Sequence, residues 1–172
     1  RDMPLAGNFE FELQGNEADF QTGLTALSKI AKTYLGVGKS QKADALLKAQ
    51  DVEITIFDGP CPVGNVGVQV NHLSPVNKGE TVWTVDPTFV LFFGRLFNTG
   101  KVNLKRTIAI GGSAISTPEY VEALIGTPFA DILKDAFKRQ EGIRLINGNP
   151  LTGIKSSLED SVGVKTSEIT AI

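Results

Sequence analysis

An α/β layer followed by a small β-grasp unit is the fold that this 172-residue chain predicts, and three observations predict it. Helix-period and strand-period runs alternate through the first half, the pattern of an α/β layer. The second half offers two short β runs parted by a glycine-rich turn, then a helical run and a returning β run, the parts of a β-grasp module. Between the halves lies TVWTVDPTFVLFFGRLFNTG (81–100), whose Gly100 marks a seam dividing the chain into 1–101 and 102–172.

In order, Arg1 to Gly15 is a tail in which FEFEL alternates as one short strand does. Asn16 can cap a helix with Phe20, Leu24, Leu27 and Ala31 on one stripe. TYLGV (33–37) is a strand, Ser40 caps a second helix through Ala43, Leu46 and Leu47, and Val52, Ile54 and Ile56 alternate in a second strand. GPCPVGNVG (59–67) is a loop, followed by an alternating strand at Val66, Val68 and Val70. TVWTV (81–85) reads as a strand running into a helix. Asp86 accepts from its first turn, Pro87 suits its first position, and Phe89, Val90, Phe93, Leu96 and Phe97 follow at helical spacing. Leu91 and Phe92 leave that helix no polar face, so it is expected to be covered nearly all round.

Leu104 to Ile110 and Glu119 to Ile125 form a hairpin around GGSAISTP. From Gly126 a helix is expected to run to Lys138 and Arg139, with Phe129, Ile132, Leu133, Ala136 and Phe137 following the i, i+3, i+4 rule. Ile143 to Ile146 is the returning strand, and Ser167 to Ile172 can pair as another.

Composition narrows the function classes. At 41% hydrophobic and 21% charged the chain can bury a core, while a net charge of -2 with no basic run gives no electrostatic reason to bind nucleic acid. No apolar stretch reaches the ~20 residues of a spanning helix, so membrane association is expected to run through other proteins. Cys61 is alone, which excludes a cysteine-ligated cluster or zinc site within the chain. A start at Arg1 reads as an excised piece.

Motifs for chemistry are sparse. Gly38-Lys39-Ser40 lacks the earlier glycine of a phosphate loop, because Thr33 stands there. The loop candidates Gly59, Pro60 and Gly64 sit among prolines that remove phosphate donors. His72 has no carboxylate and nucleophile to form a catalytic set, and is expected to be a partly buried histidine near Trp83, a quinone-linked role staying open. Asp131 and Asp135 lie one turn apart as a solvated face. No catalytic residue and no metal site is predicted. The aromatic row Phe89, Phe92, Phe93 and Phe97 is the one feature able to hold a quinone ring or lipid-like tail, and the ordinary place for such a row is the core.

These residues carry a resemblance. Thr81, Val82, Trp83, Gly94, Leu96, Phe97, Thr99 and Gly100, with EADFQTGLTALSKI, GPCPVGN, LSPV, GTPFADIL and NGNPLTG, resemble the middle of the A subunit of the sodium-translocating NADH:quinone oxidoreductases. The segment departs from that pattern between Gly64 and His72 and again over Thr88 to Leu91, both more apolar here. The resemblance implies a Rossmann-like α/β unit similar to the NADH-binding flavoprotein subunit of complex I, then a soluble-ligand-binding β-grasp unit. It implies a peripheral position at the cytoplasmic face of the inner membrane and other subunits of the complex as partners. It further implies quinone as a possible contact, with the flavins and iron centres of sodium transport and electron transport carried by those other subunits and no cofactor in this chain. Two alternatives stand beside it: a β-grasp module binding a small polar molecule or polysaccharide, and a component like the C subunit of the related membrane-bound electron-transport complex.

Overall fold

A computed structural model describes residues 4–138 and 141–172 of the chain. They form two compact units, Phe9–Asn103 and residues 4–8 together with Leu104–Ile172. The Arg139 expected in the last turn of a helix lies outside the described residues.

The first unit runs α1 (Phe9–Leu13), α2 (Glu17–Ser28), β1 (Tyr34–Gly38), α3 (Asp44–Leu47), β2 (Glu53–Phe57), α4 (Val66–Leu73) and α5 (Pro87–Thr99). β1 and β2 pair in parallel from Tyr34↔Glu53 to Gly38↔Phe57. Leu35, Val37 and Ile54 turn toward a core of Phe20, Leu24, Leu46, Val90 and Leu91. Gly36 faces the other way, where a side-chain carbon would lie 2.5 Å from Gln69 Oε1 of α4. α2, α3 and α5 therefore cover one face of a short parallel sheet, and Gln69 of α4 reaches its other face at Gly36. The turn ahead of β2 is clamped to α2, because Gln21 donates to the Gln50 carbonyl (3.0 Å) and accepts from the Gln50 N–H (2.9 Å).

Three strands expected here take other forms. FEFEL is α1: helical spacing places Leu13 in the core and Phe9 5.6 Å from the Phe20 ring, and it brings buried Glu12 within reach of the Thr88 hydroxyl (3.1 Å). Val66 to Leu73 is α4, started by the Asn65 side chain accepting from the Gly67 N–H (2.8 Å), a local cap that outweighs the alternation of valines. TVWTV has no regular structure and stays exposed, because an alternating run becomes a strand only beside a partner. Two caps also differ. Ala43, not Ser40, stands at the start of α3, where the Gln41 side chain accepts from the Lys42 and Ala43 N–H groups. Asn16 makes no side-chain cap and instead donates to the Glu12 carbonyl (3.0 Å) while accepting from Arg95.

The second unit runs β3 (Lys105–Gly111), β4 (Glu119–Leu124), α6 (Phe129–Ile132), β5 (Leu145–Asn147), β6 (Ile154–Ser156) and β7 (Glu168–Ala171). Its sheet order is β4-β3-β7-β5-β6. β3 and β4 form the expected antiparallel hairpin, β7 lies parallel to β3, and β5 pairs antiparallel with β7 and β6. A hairpin, a crossing helical segment and a strand returning parallel to the first is the β-grasp arrangement, and the strand that returns beside β3 is β7 rather than Ile143 to Ile146. Ile108, Ile110, Phe129, Leu133 and Ile169 fill the core. The N-terminal segment joins this unit through the Asn8 N–H, which donates to the Tyr120 hydroxyl (2.9 Å).

The helix expected from Gly126 to Arg139 is a single turn. Its apolar stripe is buried as predicted, with Phe129, Leu133 and Ala136 in the core. After Ile132 the backbone leaves the helix to bridge Phe137 with Ile115: the Ser116 N–H donates to the Ala136 carbonyl (2.7 Å) and the Lys138 N–H to the Ala114 carbonyl (2.9 Å). At the other end the Phe129 and Ala130 N–H groups donate to the Asp160 and Leu158 carbonyls. Non-local partners thus take the hydrogen bonds that further helical turns would have used. Asp135 falls beyond α6, so it and Asp131 do not share a helical face.

Candidate functional site

The stretch that the sequence marks most strongly is α5 with the segment ahead of it. Asp86 accepts from the Thr88 N–H (2.9 Å), Pro87 opens the helix, and Gly100 closes it at φ 69 in the left-handed region, its N–H donating to the Leu96 carbonyl (2.8 Å). Each end is set by neighbouring residues, and so both were readable from the sequence.

Two glycines decide which face of α5 is buried. A side-chain carbon on Gly94 would lie 1.7 Å from the Asp19 carbonyl oxygen, and one on Gly23 of α2 would lie 2.1 Å from the Val90 carbonyl oxygen. Residue 19 meets residue 94 and residue 23 meets residue 90, so α2 and α5 run antiparallel with their backbones touching. Polar side chains hold the same contact: Arg95 donates to Asn16 (3.0 Å) and Asn98 to Asp19 (2.7 Å). Val90 and Leu91 join Phe20 and Leu24 of α2 in the core, and Thr88 and Phe92 are buried as well. Sequence reasoning missed the crossing, yet a signal was present, since a glycine inside an apolar helix costs ~1 kcal/mol and calls for a packing reason.

The opposite face of α5 is open, a correction to the expectation of cover nearly all round. Phe93 is 37% exposed, Leu96 38% and Phe97 66%, and Phe89 is half-buried beside them. Trp83, just ahead of the helix, is 88% exposed, with Val82 and Val85 also exposed. The four candidate phenylalanines therefore divide. Phe92 is a core residue in edge contact with Phe89 at 5.7 Å, whereas Phe93 and Phe97 belong to the outer stripe.

The other candidates are not part of this stripe. His72 is exposed on α4, its Nδ1 2.8 Å from the Val68 carbonyl of its own helix, and it makes no ring contact with Trp83. Gly59, Pro60 and Gly64 lie in the turns before α4, where the Val63 N–H donates to the Pro60 carbonyl and the Asn65 N–H to the Pro62 carbonyl. Among the described residues none of these four shares a hydrogen bond or ring contact with α5. Lys39 pairs with Asp58 (2.6 Å), as a solvated surface lysine does.

The outer stripe carries no titratable group, and among the described residues no cluster of three or more His, Cys, Asp or Glu side chains could hold a metal ion. No helix among them is long and apolar enough to cross a membrane. What the stripe can do is bury apolar surface against another molecule. Covering Phe93, Leu96, Phe97 and Trp83 would contribute about 1–2 kcal/mol per side chain.

Comparison with known proteins gives this geometry a context. Residues 1–102 match the family model described as the NqrA second alpha/beta domain, and residues 107–157 match the NQRA C-terminal domain of SLBB type. The chain is 32% identical over 171 residues to the Na(+)-translocating NADH-quinone reductase A subunit of Neisseria meningitidis, covering 98% of this chain and 38% of that protein. It is 31% identical to the corresponding protein of Shewanella frigidimarina over 151 residues, covering 88% of this chain and 33% of that protein. The same identity holds for Vibrio alginolyticus over 150 residues, with 87% and 33% covered. The chain thus spans less than two-fifths of the length of these relatives.

Proposed function

The chain belongs to the NqrA family, the A subunits of the Na(+)-translocating NADH-quinone reductases, and on that footing we propose that it is a cofactor-free peripheral portion of the complex, docking onto other subunits at the cytoplasmic face of the inner membrane through the outer face of α5. The observation that carries this reading is the division of one helix into a packed side and an uncovered apolar side. Gly23 and Gly94 press one side of α5 against α2, while Phe93, Leu96 and Phe97 are left facing outward. Surface of that kind next to an exposed tryptophan marks a contact with an apolar partner. The relatives are named as subunits of a reductase that acts on quinone, an apolar ring, so we extend the proposal to a quinone-access surface on the same stripe.

Photo-crosslinking in the assembled complex with a quinone analogue tests the second part. Labelling is expected at Phe93, Phe97 or Trp83, and labelling that falls only elsewhere removes quinone from this surface. Phe93→Asp together with Phe97→Asp tests the docking part. The double variant is expected to fold and to lose co-purification with the membrane subunits, and full retention would refute docking through α5. Flavin absorbance in the purified chain would overturn the cofactor-free reading.

A further inference from the structure

A second feature lies in the β-grasp unit and does not depend on the docking of α5. An open cleft of about 1090 Å3 is bounded by the turn after α6, the approach to β5, and β6 with the turn that follows it. Three cations from three separate places line it: Lys134 after α6, Arg144 immediately before β5, and Lys155 within β6. Their backbones are held in position. The Arg144 N–H donates to the Ile172 carbonyl (2.7 Å) and its carbonyl accepts from the Ile172 N–H (3.0 Å), and Lys155 sits in the ladder opposite Ile146.

None of the three side chains has an ion pair or side-chain hydrogen bond among the described residues. Lys32, Lys39, Lys48 and Lys105 do find carboxylates, in Glu53, Asp58, Asp44 and Glu122, whereas the three cleft cations, like several other surface lysines, find none among the described residues. Asp160, held by two residues that line the cleft, is already engaged: it accepts from the Ser156 hydroxyl (2.7 Å) and from the Ser157 N–H (2.8 Å). Asp131, Asp135, Glu141 and Glu159 stand in adjoining segments, but none of them lines the cleft. Three unneutralised positive charges therefore face one concavity in a chain whose net charge is -2. Convergent cations are how a site recognises a carboxylate or phosphate.

The rest of the cleft is apolar. Leu133 and Leu145 are buried beneath it, Phe137 and Ile143 are half-buried in its wall, and Leu158 is exposed at its edge. A polar sugar or free inorganic anion would use the cations and leave this wall wet. We propose that the cleft binds an amphipathic anion, with a carboxylate or phosphate head held by Lys134, Arg144 and Lys155 and an apolar body laid on Leu133, Phe137 and Ile143. Its volume lies slightly above the ~300–1,000 Å3 that small-molecule sites occupy, room enough for a head group with its chain or ring.

Calorimetric titration of the whole chain with dodecyl phosphate below its micelle threshold tests this. Binding is expected, and Lys134→Gln, Arg144→Gln and Lys155→Gln should each weaken it about tenfold, the loss of one charge-assisted hydrogen bond. Lys78→Gln, away from the cleft, should leave it unchanged. Thermal unfolding of each variant checks that the fold is intact. Inorganic phosphate or dodecyl maltoside binding as tightly as dodecyl phosphate would overturn the proposal, as would cleft variants with unaltered affinity. Vesicles of phosphatidylglycerol against phosphatidylcholine distinguish the source of the ligand. Cleft-dependent binding only to the anionic vesicles assigns a lipid head group, binding of the monomeric amphiphile assigns a free one, and binding of neither refutes the site.

Discussion

Replacing Gly94 by alanine tests the packing on which the outer stripe of α5 depends. The new methyl would stand 1.7 Å from the Asp19 carbonyl oxygen and 2.4 Å from its carbon, whereas carbon contacts settle near ~3.5 Å. Both obstructing atoms are backbone, so no side chain can swing aside, and α2 and α5 must part by roughly 1.5–2 Å. Overpacking of this kind costs about 1–3 kcal/mol, and the strained Arg95–Asn16 and Asn98–Asp19 bonds add about 1 kcal/mol each. Against this stands a gain of about 1 kcal/mol from placing alanine in a helix. The net is a loss of roughly 2–4 kcal/mol, which at ~4–8 °C per kcal/mol lowers the Tm of a unit this size by about 10 °C or more. Circular dichroism melting of the chain measures it. Gly38→Ala is the control, since nothing lies within 4 Å of its added carbon, and it should shift stability by less than about 0.5 kcal/mol. If Gly94→Ala melts at or above the parent temperature, propensity has won, the helices do not touch as described, and the argument for an outward stripe loses its basis.

Further expectations concern the same unit and the β-grasp loop. Phe92→Ala should cost about 3 kcal/mol in urea unfolding and Phe97→Ala less than about 1 kcal/mol, because the first ring is buried and the second is largely in solvent; equal costs would contradict the two-sided helix. Thr88→Val removes a donor from the buried Glu12 carboxylate and should lower stability by about 1–3 kcal/mol, so an unchanged urea midpoint would count against that contact. The Ser156 hydroxyl, followed by the Ser157 N–H, holds the Asp160 carboxyl below the usual aspartate value of 3.8. With the folded value below the unfolded one, its contribution is complete above the unfolded value and fades as pH falls through the folded one. Carbon-detected NMR titration should place the midpoint below 3.8 and Ser156→Ala should raise it; a midpoint at or above 3.8 in the parent chain would refute the assignment.

Elements whose partners lie next to them along the chain were legible in the residues themselves. Asp86, Pro87 and Gly100 bracket α5 because a cap reaches only two or three residues, and the hairpin β3–β4 follows from two β runs around a glycine turn. The α/β layer and the β-grasp unit followed from the order of such elements. The resemblance to the NqrA family, carried by TVW, LF-x-TG and NGNPLTG, was legible in the same way and is matched by the family models. The candidate site was legible only in part: the aromatic row was found, but Phe92 could not be told from Phe97, since every position of an apolar helix reads alike.

Contacts between distant residues set the remainder. An i, i+3, i+4 stripe buried Phe129, Leu133 and Ala136, yet the bridge between Phe137 and Ile115 ended the helix after one turn, because a partner some twenty residues away took its hydrogen bonds. Alternating valines became α4 once Asn65 capped them, and TVWTV, without a neighbouring strand, became no element at all. The same holds for the surfaces that matter to function. Lys134, Arg144 and Lys155 stand ten or eleven residues apart in three different segments and converge only when α6, β5 and β6 are folded together. The kinds of elements, most of their caps and the family are local properties, written residue by residue. Which faces of those elements meet, and therefore which are left open to a partner, required the chain to close on itself, because burial is a property of pairs of surfaces and not of either one alone.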